Sequence, residues 1–155
     1  MGARSPYSFQ ISKKAIRIIS LSKYNAHTEP LFINLKLLKI SDLFKFHCLV
    51  LHYKIERGLA PSNIRSLIIR NTDIHTYHTR QYTIRQIAPN FKTHADSMRY
   101  YLPVLINSMP GELLQNIFFW QLQTFKKHLK IYFLNQYSAI CTIPQCIICG
   151  RNRLL

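Results

Sequence analysis

Acidic side chains are scarce: 6 Asp and Glu stand against 21 Lys and Arg in 155 residues, a formal net charge of +15 with histidines neutral. Glu29, Asp42, Glu56, Asp73, Asp96 and Glu112 lie far apart in sequence. That spacing argues against chemistry that needs paired carboxylates, whether for acid–base work or to seat two metal ions. Glycine is rarer still, with four residues, and there is no glycine-rich phosphate loop, no Gly-x-Ser-x-Gly turn and no papain-like cysteine context. A self-sufficient active site is therefore not expected. Met1 to Lys14 lacks the apolar run of about seven residues that a secretory signal requires, so an intracellular location is expected. Pro6 stands where a myristoylation motif needs Ser or Thr. Ile131 to Gly150 is uncharged, but Asn135, Gln136, Pro144 and Gln145 interrupt it, so no membrane partner is expected. Neither an internal repeat nor a low-complexity tract occurs.

What is present is apolar enough to fold. Apolar residues make up 48% of the chain and aromatics 12%, a composition that can bury a core. The pattern predicts a mainly α fold: a small helical domain with an irregular or short-strand middle segment and a cysteine-bearing C-terminal tail. Residues 1–9 lack periodicity and are expected to be a disordered leader. Residues 10–134 carry helical spacing, interrupted by an irregular segment at 71–89 in which Gln81 to Ile87 suits a short strand. Residues 135–155 form the tail.

Within the helical region, Ile11, Ala15, Ile18 and Ile19 share one face while Lys13, Lys14 and Arg17 take another. Pro30 suits the first turn of a short helix bearing Leu31, Phe32 and Leu35. Ser41 is expected to cap a third helix, with Asp42 at its positive end. That helix, Asp42 to Arg57, is apolar around most of its circumference and should be central; Gly58 suits its C-terminal cap and Pro61 bars continuation. A brief helix over Asn63 to Ile69 follows. Beyond Asn90 helical spacing returns, and Pro103 is expected to kink or split it near Tyr101. A last helix, Glu112 to Leu134, should break near Trp120.

Ordinary solvated surfaces mix both signs of charge, and +15 exceeds what solubility asks. Repeated cationic helix faces suit a phosphate backbone, since each neutralised phosphate releases condensed counterion. RNA or DNA, bound without sequence preference, is the expected partner. Lys13, Lys14, Arg17, Arg80, Arg99, Lys126, Lys127 and Lys130 are the candidate contacts. Tyr77, Tyr82 and Tyr100 are candidates for stacking on bases, whereas Phe44, Phe46, Phe91, Phe118 and Phe125 are expected in the core.

Cys141, Cys146 and Cys149 form C-x4-C-x2-C, three candidate ligands for zinc. A structural zinc site takes four, so the fourth would come from His128, from Cys48 or from a second chain. Reduced, unliganded thiols are the simpler expectation, made reactive by Arg151 and Arg153 nearby. His75 and His78 have no acid or thiol beside them and suit a surface or turn. A protein-interaction module, docking through the Asp42 to Arg57 helix and a zinc-binding or redox-sensitive tail, is the alternative to nucleic-acid binding.

Several segments, taken in order, resemble the C-terminal, post-palm part of reverse transcriptases from non-LTR (LINE-type) retrotransposons. They are Lys13-Lys14-Ala15-Ile16-Arg17-Ile18-Ile19, Ala26-His27-Thr28-Glu29-Pro30-Leu31-Phe32 and Leu37-Leu38-Lys39-Ile40-Ser41-Asp42-Leu43-Phe44-Lys45. His75-Thr76-Tyr77-His78-Thr79-Arg80, Ile106-Asn107-Ser108-Met109-Pro110 and Phe125-Lys126-Lys127-His128-Leu129-Lys130 complete the set. The resemblance spans roughly residues 11–149. It implies a thumb-like helical region over 10–134 that holds template and primer. The family's polymerase motifs, including the Tyr-x-Asp-Asp that binds two metal ions, do not occur here, and Leu102 to Ile106 stands where relatives often carry Trp. The resemblance therefore implies a non-catalytic, nucleic-acid-binding part of an RNA-directed DNA polymerase.

Overall fold

The computed structural model describes residues 6–74, 84–86 and 97–137, with the backbone alone for residues 6–9. Over these residues the protein is mainly helical. The helices are α1 (Pro6–Ile19), α2 (Thr28–Asn34), α3 (Ile40–Glu56), α4 (Ser62–Arg65), α5 (Met98–Asn107), α6 (Gly111–Gln115) and α7 (Leu122–Leu134), with a single 3-10 turn at Asn71–Asp73. Among the described residues there is no strand, and the one sheet-like contact is an antiparallel bridge between Arg70 and Ile84. The rest of the expected Gln81 to Ile87 strand lies partly outside the described residues.

The chain divides into two units. Of the described residues, 6–44 and 128–137 belong to a terminal unit, and 45–74, 84–86 and 97–127 to a middle unit. In the terminal unit α1 packs on α2. Ile16, the residue that α1 buries most completely, joins Phe32 and Tyr137, and Leu31, Ile33, Leu38 and Leu134 close around them. Tyr137 meets Phe32 edge-on, with ring centroids 6.4 Å apart. Its hydroxyl donates to Asp42 Oδ2 at 2.8 Å and accepts the Lys39 backbone N–H at 2.9 Å. Burial, aided by the bond to Asp42 and its charge and opposed by the Lys39 N–H, holds the phenol far above its usual titration range. Arg17 Nε donates to the Ala26 carbonyl at 2.8 Å and ties α1 to the turn before α2.

In the middle unit the C-terminal half of α3 buries Cys48, Leu49, Val50, His52, Tyr53 and Ile55. Tyr53 stacks on Phe125 of α7 with centroids 5.1 Å apart and donates its hydroxyl to the Trp120 carbonyl at 2.8 Å. Such a ring pair contributes about 0.5–1.5 kcal/mol beyond the area it buries. Asn107 holds the backbone of Ile84 from both sides, Nδ2 donating to its carbonyl at 2.8 Å and Oδ1 accepting its N–H at 3.4 Å.

Four expectations need correction. Helix α1 starts at Pro6, inside the expected leader, because a proline at the first helical position gives up an N–H that no helical carbonyl would accept. Ser41 does not cap α3: the helix begins at Ile40, and the Asp42 and Leu43 N–H groups bond to the Lys39 carbonyl at 3.0 and 2.8 Å. Of the two effects expected of Pro103, a kink or a split, the split does not occur: α5 runs through it with Pro103 fully buried. Its cost is the donor that the Arg99 carbonyl would otherwise receive, and Arg99 lies in the first turn. Phe118 is 55% exposed and Phe44 38% exposed, so neither is a core residue as expected, whereas Phe125 is fully buried.

Candidate functional site

The basic residues were the sequence candidates. Lys13, Lys14 and Arg17 all lie on α1, with Lys14 exposed and Arg17 engaged with the Ala26 carbonyl. Arg99 is exposed in the first turn of α5. Lys126, Lys127 and Lys130 share α7. Lys126 is half-buried, while Lys127 and Lys130 are exposed together with Gln123, at the i, i+4, i+7 spacing that keeps side chains on one helix face. Lys13, Lys14, Arg17 and Lys130 belong to the terminal unit, and Arg99, Lys126 and Lys127 to the middle unit. Arg80 lies outside the described residues, as do Tyr77 and Tyr82; Tyr100 is half-buried in α5.

Four of the five described acids bond within the protein, while Glu112 is exposed. Glu29 pairs with Lys39 Nζ at 2.5 Å, Asp42 accepts from Tyr137, Glu56 pairs with Arg70, and Asp73 accepts the Arg70 N–H at 3.1 Å. Several arginines likewise hold backbone: Arg57 donates to the Phe118 carbonyl at 2.8 Å, and Arg65 to the Ala60 carbonyl at 2.7 Å. Lys14, Lys23, Lys36, Lys54, Lys127 and Lys130 are exposed and form no ion pair among the described residues. Positive charge therefore reaches the surface with little compensation.

A constellation that sequence reasoning missed lies in the middle unit. His52 and Glu56 sit one turn apart on α3, and Glu56 Oε2 pairs with Arg70. His52 is 4% exposed, and its Nδ1 has no hydrogen-bond partner among the described residues; Glu56 Oε1 stands 3.8 Å away, beyond bonding distance. Burial, with the Arg70 charge adding to it, pulls the imidazole down to about 4, so His52 is neutral at neutral pH. These three residues line a cavity of about 500 Å³ whose other walls include Ile84, Ile106 and Ile117. The i, i+4 pairing of His52 with Glu56 was visible in the sequence, but it lay inside a segment dominated by apolar residues. Arg70 arrives only after the chain has turned at Gly58 and Pro61, which no spacing rule anticipates.

Cys141, Cys146 and Cys149 lie outside the described residues. Cys48, one candidate for a fourth ligand, is buried, donates its S–H to Met98 Sδ at 3.9 Å, and has its thiol pushed up to about 11 by burial. A thiol held in its protonated form is a poor starting point for a metal ligand. No group of three metal-binding side chains occurs among the described residues, and no helix among them is long and apolar enough to cross a membrane. No protein-family model, curated protein or solved structure matches the chain.

Proposed function

We propose that this protein is a non-catalytic remnant of the C-terminal region of a non-LTR retrotransposon reverse transcriptase, acting as a basic helical module on the backbone of RNA or DNA. The observation that carries the binding reading is the asymmetry of charge use: Glu29, Asp42, Glu56 and Asp73 bond to the protein itself, while Lys14, Lys127, Lys130 and other lysines face solvent. Lysine is a point-charge partner for phosphate and needs no fixed geometry, which suits contact without sequence preference. The origin rests on the ordered segments of the sequence resemblance.

The test is fluorescence anisotropy with duplexes and single strands of unrelated sequence over a salt series. Affinity for duplex DNA should fall with a log–log slope of roughly −0.9 per phosphate neutralised, alike for each sequence. Lys127→Gln combined with Lys130→Gln should make that slope shallower by roughly 1.8. Affinity independent of salt, or no binding at low salt, would sink the proposal. For the alternative, docking of a protein through α3, the buried Leu49, Val50, Tyr53 and Ile55 count against it and the exposed Leu43 and Phe44 count for it.

A further inference from the structure

We propose that α1 is an interfacial helix whose outward apolar face, Ile11, Ala15, Ile18 and Ile19, docks on an anionic lipid surface. The inference does not rest on the nucleic-acid reading, with which it shares only lysines.

Helix α1 is mounted with its apolar side out. Ile11, Ala15, Ile18 and Ile19 keep the i, i+4, i+7, i+8 spacing of one helix face, and all four are exposed, Ile11 to 64%, Ile18 to 74% and Ile19 to 63%. The residues turned towards the protein are more polar. On that side Ile16 enters the core, while Ser12, Lys13, Arg17 and Ser20 are half-buried. Arg17 and Ser20 are fixed there by bonds to the carbonyls of Ala26 and Ile16, each at 2.8 Å. A surface helix ordinarily does the reverse, apolar face inward and polar face to water. The apolar run continues past the helix end, with Leu21 94% exposed and Tyr24 90% exposed. Scattered exposed apolar side chains need no explanation, but a row of them marks a surface that something covers.

Charge names the occupant. Residues 1–28 contain no acid, whereas Lys13, Lys14 and Arg17 lie on α1 and Lys23 just beyond it. Lys14 is exposed one turn from both Ile11 and Ile18, and Lys23 is exposed beside Tyr24 in sequence. A second copy of this chain would bring the same cations face to face, so self-pairing is opposed. A phosphate backbone satisfies the lysines but offers the isoleucines no hydrocarbon. An anionic bilayer supplies both, charged headgroups for the lysines and acyl chains for the isoleucines, and Tyr24 suits the boundary between them. Protein interfaces are anchored by Trp, Tyr and Arg in fitted pockets, whereas aliphatic side chains in a bilayer contribute simply by the area they bury. The expectation of no membrane partner came from the lack of a spanning segment, and a helix lying in the interface plane needs none.

The test is co-sedimentation of the full chain with vesicles of phosphatidylcholine alone, or of phosphatidylcholine with about 30% phosphatidylserine, at about 0.15 M salt. The mixed vesicles should bind the protein about tenfold or more tightly than the neutral ones. Ile11→Ser combined with Ile18→Ser changes exposed side chains, so the melting temperature should hold, while partitioning should fall about tenfold or more and affinity for duplex DNA should not change. Lys14→Gln and Lys23→Gln should each lower partitioning about fivefold. Failure to sediment with the mixed vesicles overturns the proposal. So does full binding by the double serine variant, which would mean adhesion by charge alone. Self-association of the wild type that the serine substitutions abolish, without vesicle binding, would assign the face to a second copy instead. Duplex binding is read separately in each case, so none of these results decides the nucleic-acid reading.

Discussion

His52 ties one proton to the stability of the fold. Its imidazole titrates near 6.5 when the chain is unfolded and near 4 in the folded protein, because burial and then Arg70 oppose the charged form. Glu56 does not reverse this, since its own charge is matched by Arg70. Between those two values the unfolded chain binds the proton and the folded chain does not, so stability is fully present above about pH 6.5 and is lost as the pH falls towards 4. A difference of that size corresponds to a few kcal/mol. Urea unfolding of the wild type should show the loss between neutral pH and the low end of this window, and His52→Asn should flatten it. An unchanged midpoint over that interval in the wild type contradicts the burial of a neutral imidazole. The same residue shows how a buried polar group escapes sequence reading: a histidine among Leu49, Val50, Tyr53 and Ile55 looks like one more core position until its unpartnered Nδ1 is seen.

Three of the helices end by one shared device. After α1, α2 and α3 the chain enters the left-handed region, at Leu21 (φ 50°), Lys36 (φ 51°) and Gly58 (φ 68°). In each case two backbone bonds close the end: Leu21 and Ser22 donate to Ile18 and Arg17, Lys36 and Leu37 to Ile33 and Phe32, Gly58 and Leu59 to Ile55 and Lys54. This is the paired 5→2 and 6→1 pattern that satisfies the last carbonyls of a helix. A side chain in that conformation costs about 1–2 kcal/mol, and glycine avoids the cost. Leu21 is 94% exposed and contributes no core packing. Leu21→Gly should therefore stabilise the protein by about 0.5–1 kcal/mol, after the greater freedom of an unfolded glycine is subtracted. Gly58→Ala should destabilise by about 1 kcal/mol through the backbone alone, since a Cβ there meets no atom within 4 Å. Chemical denaturation of both variants checks the pair, and equal effects of one sign would contradict the cap assignment. The Gly58 end was legible because glycine announces it. The ends at Leu21 and Lys36 were not, because neither residue type favours that conformation and so neither announces it. Asp42 is a similar case. Its place near the start of a helix was readable, but the partner that turned it inward, Tyr137, lies 95 residues away. The mainly α character was readable from period alone, as in the four-residue step from Phe125 to Leu129, both fully buried.

The charge of the whole molecule makes two responses to salt run in opposite directions. Twenty-one bases against six acids on 155 residues repel one another more when the chain is folded than when it is extended, so the net charge of +15 works against the fold. Salt also weakens the favourable pairs, Lys39 with Glu29 and Arg70 with Glu56, but Glu56 is nearly buried and is screened little. Six acids cannot offset repulsion among 21 bases, so moving from low salt to about 0.15 M, where the screening length shortens to about 8 Å, should raise the melting temperature by a few degrees. Over the same interval affinity for a phosphate backbone should fall. A polyanion that binds the folded chain supplies the screening itself. Added duplex should raise the melting temperature most at low salt, where it binds tightly, and by progressively less as salt removes it. Differential scanning fluorimetry over a salt series, with and without duplex, reads both curves together. Curves that converge at high salt agree with a protein whose surplus positive charge is matched by its partner. A melting temperature that falls on adding salt to the protein alone would mean that its internal ion pairs outweigh its self-repulsion, and would remove the physical reason for assigning a polyanionic partner.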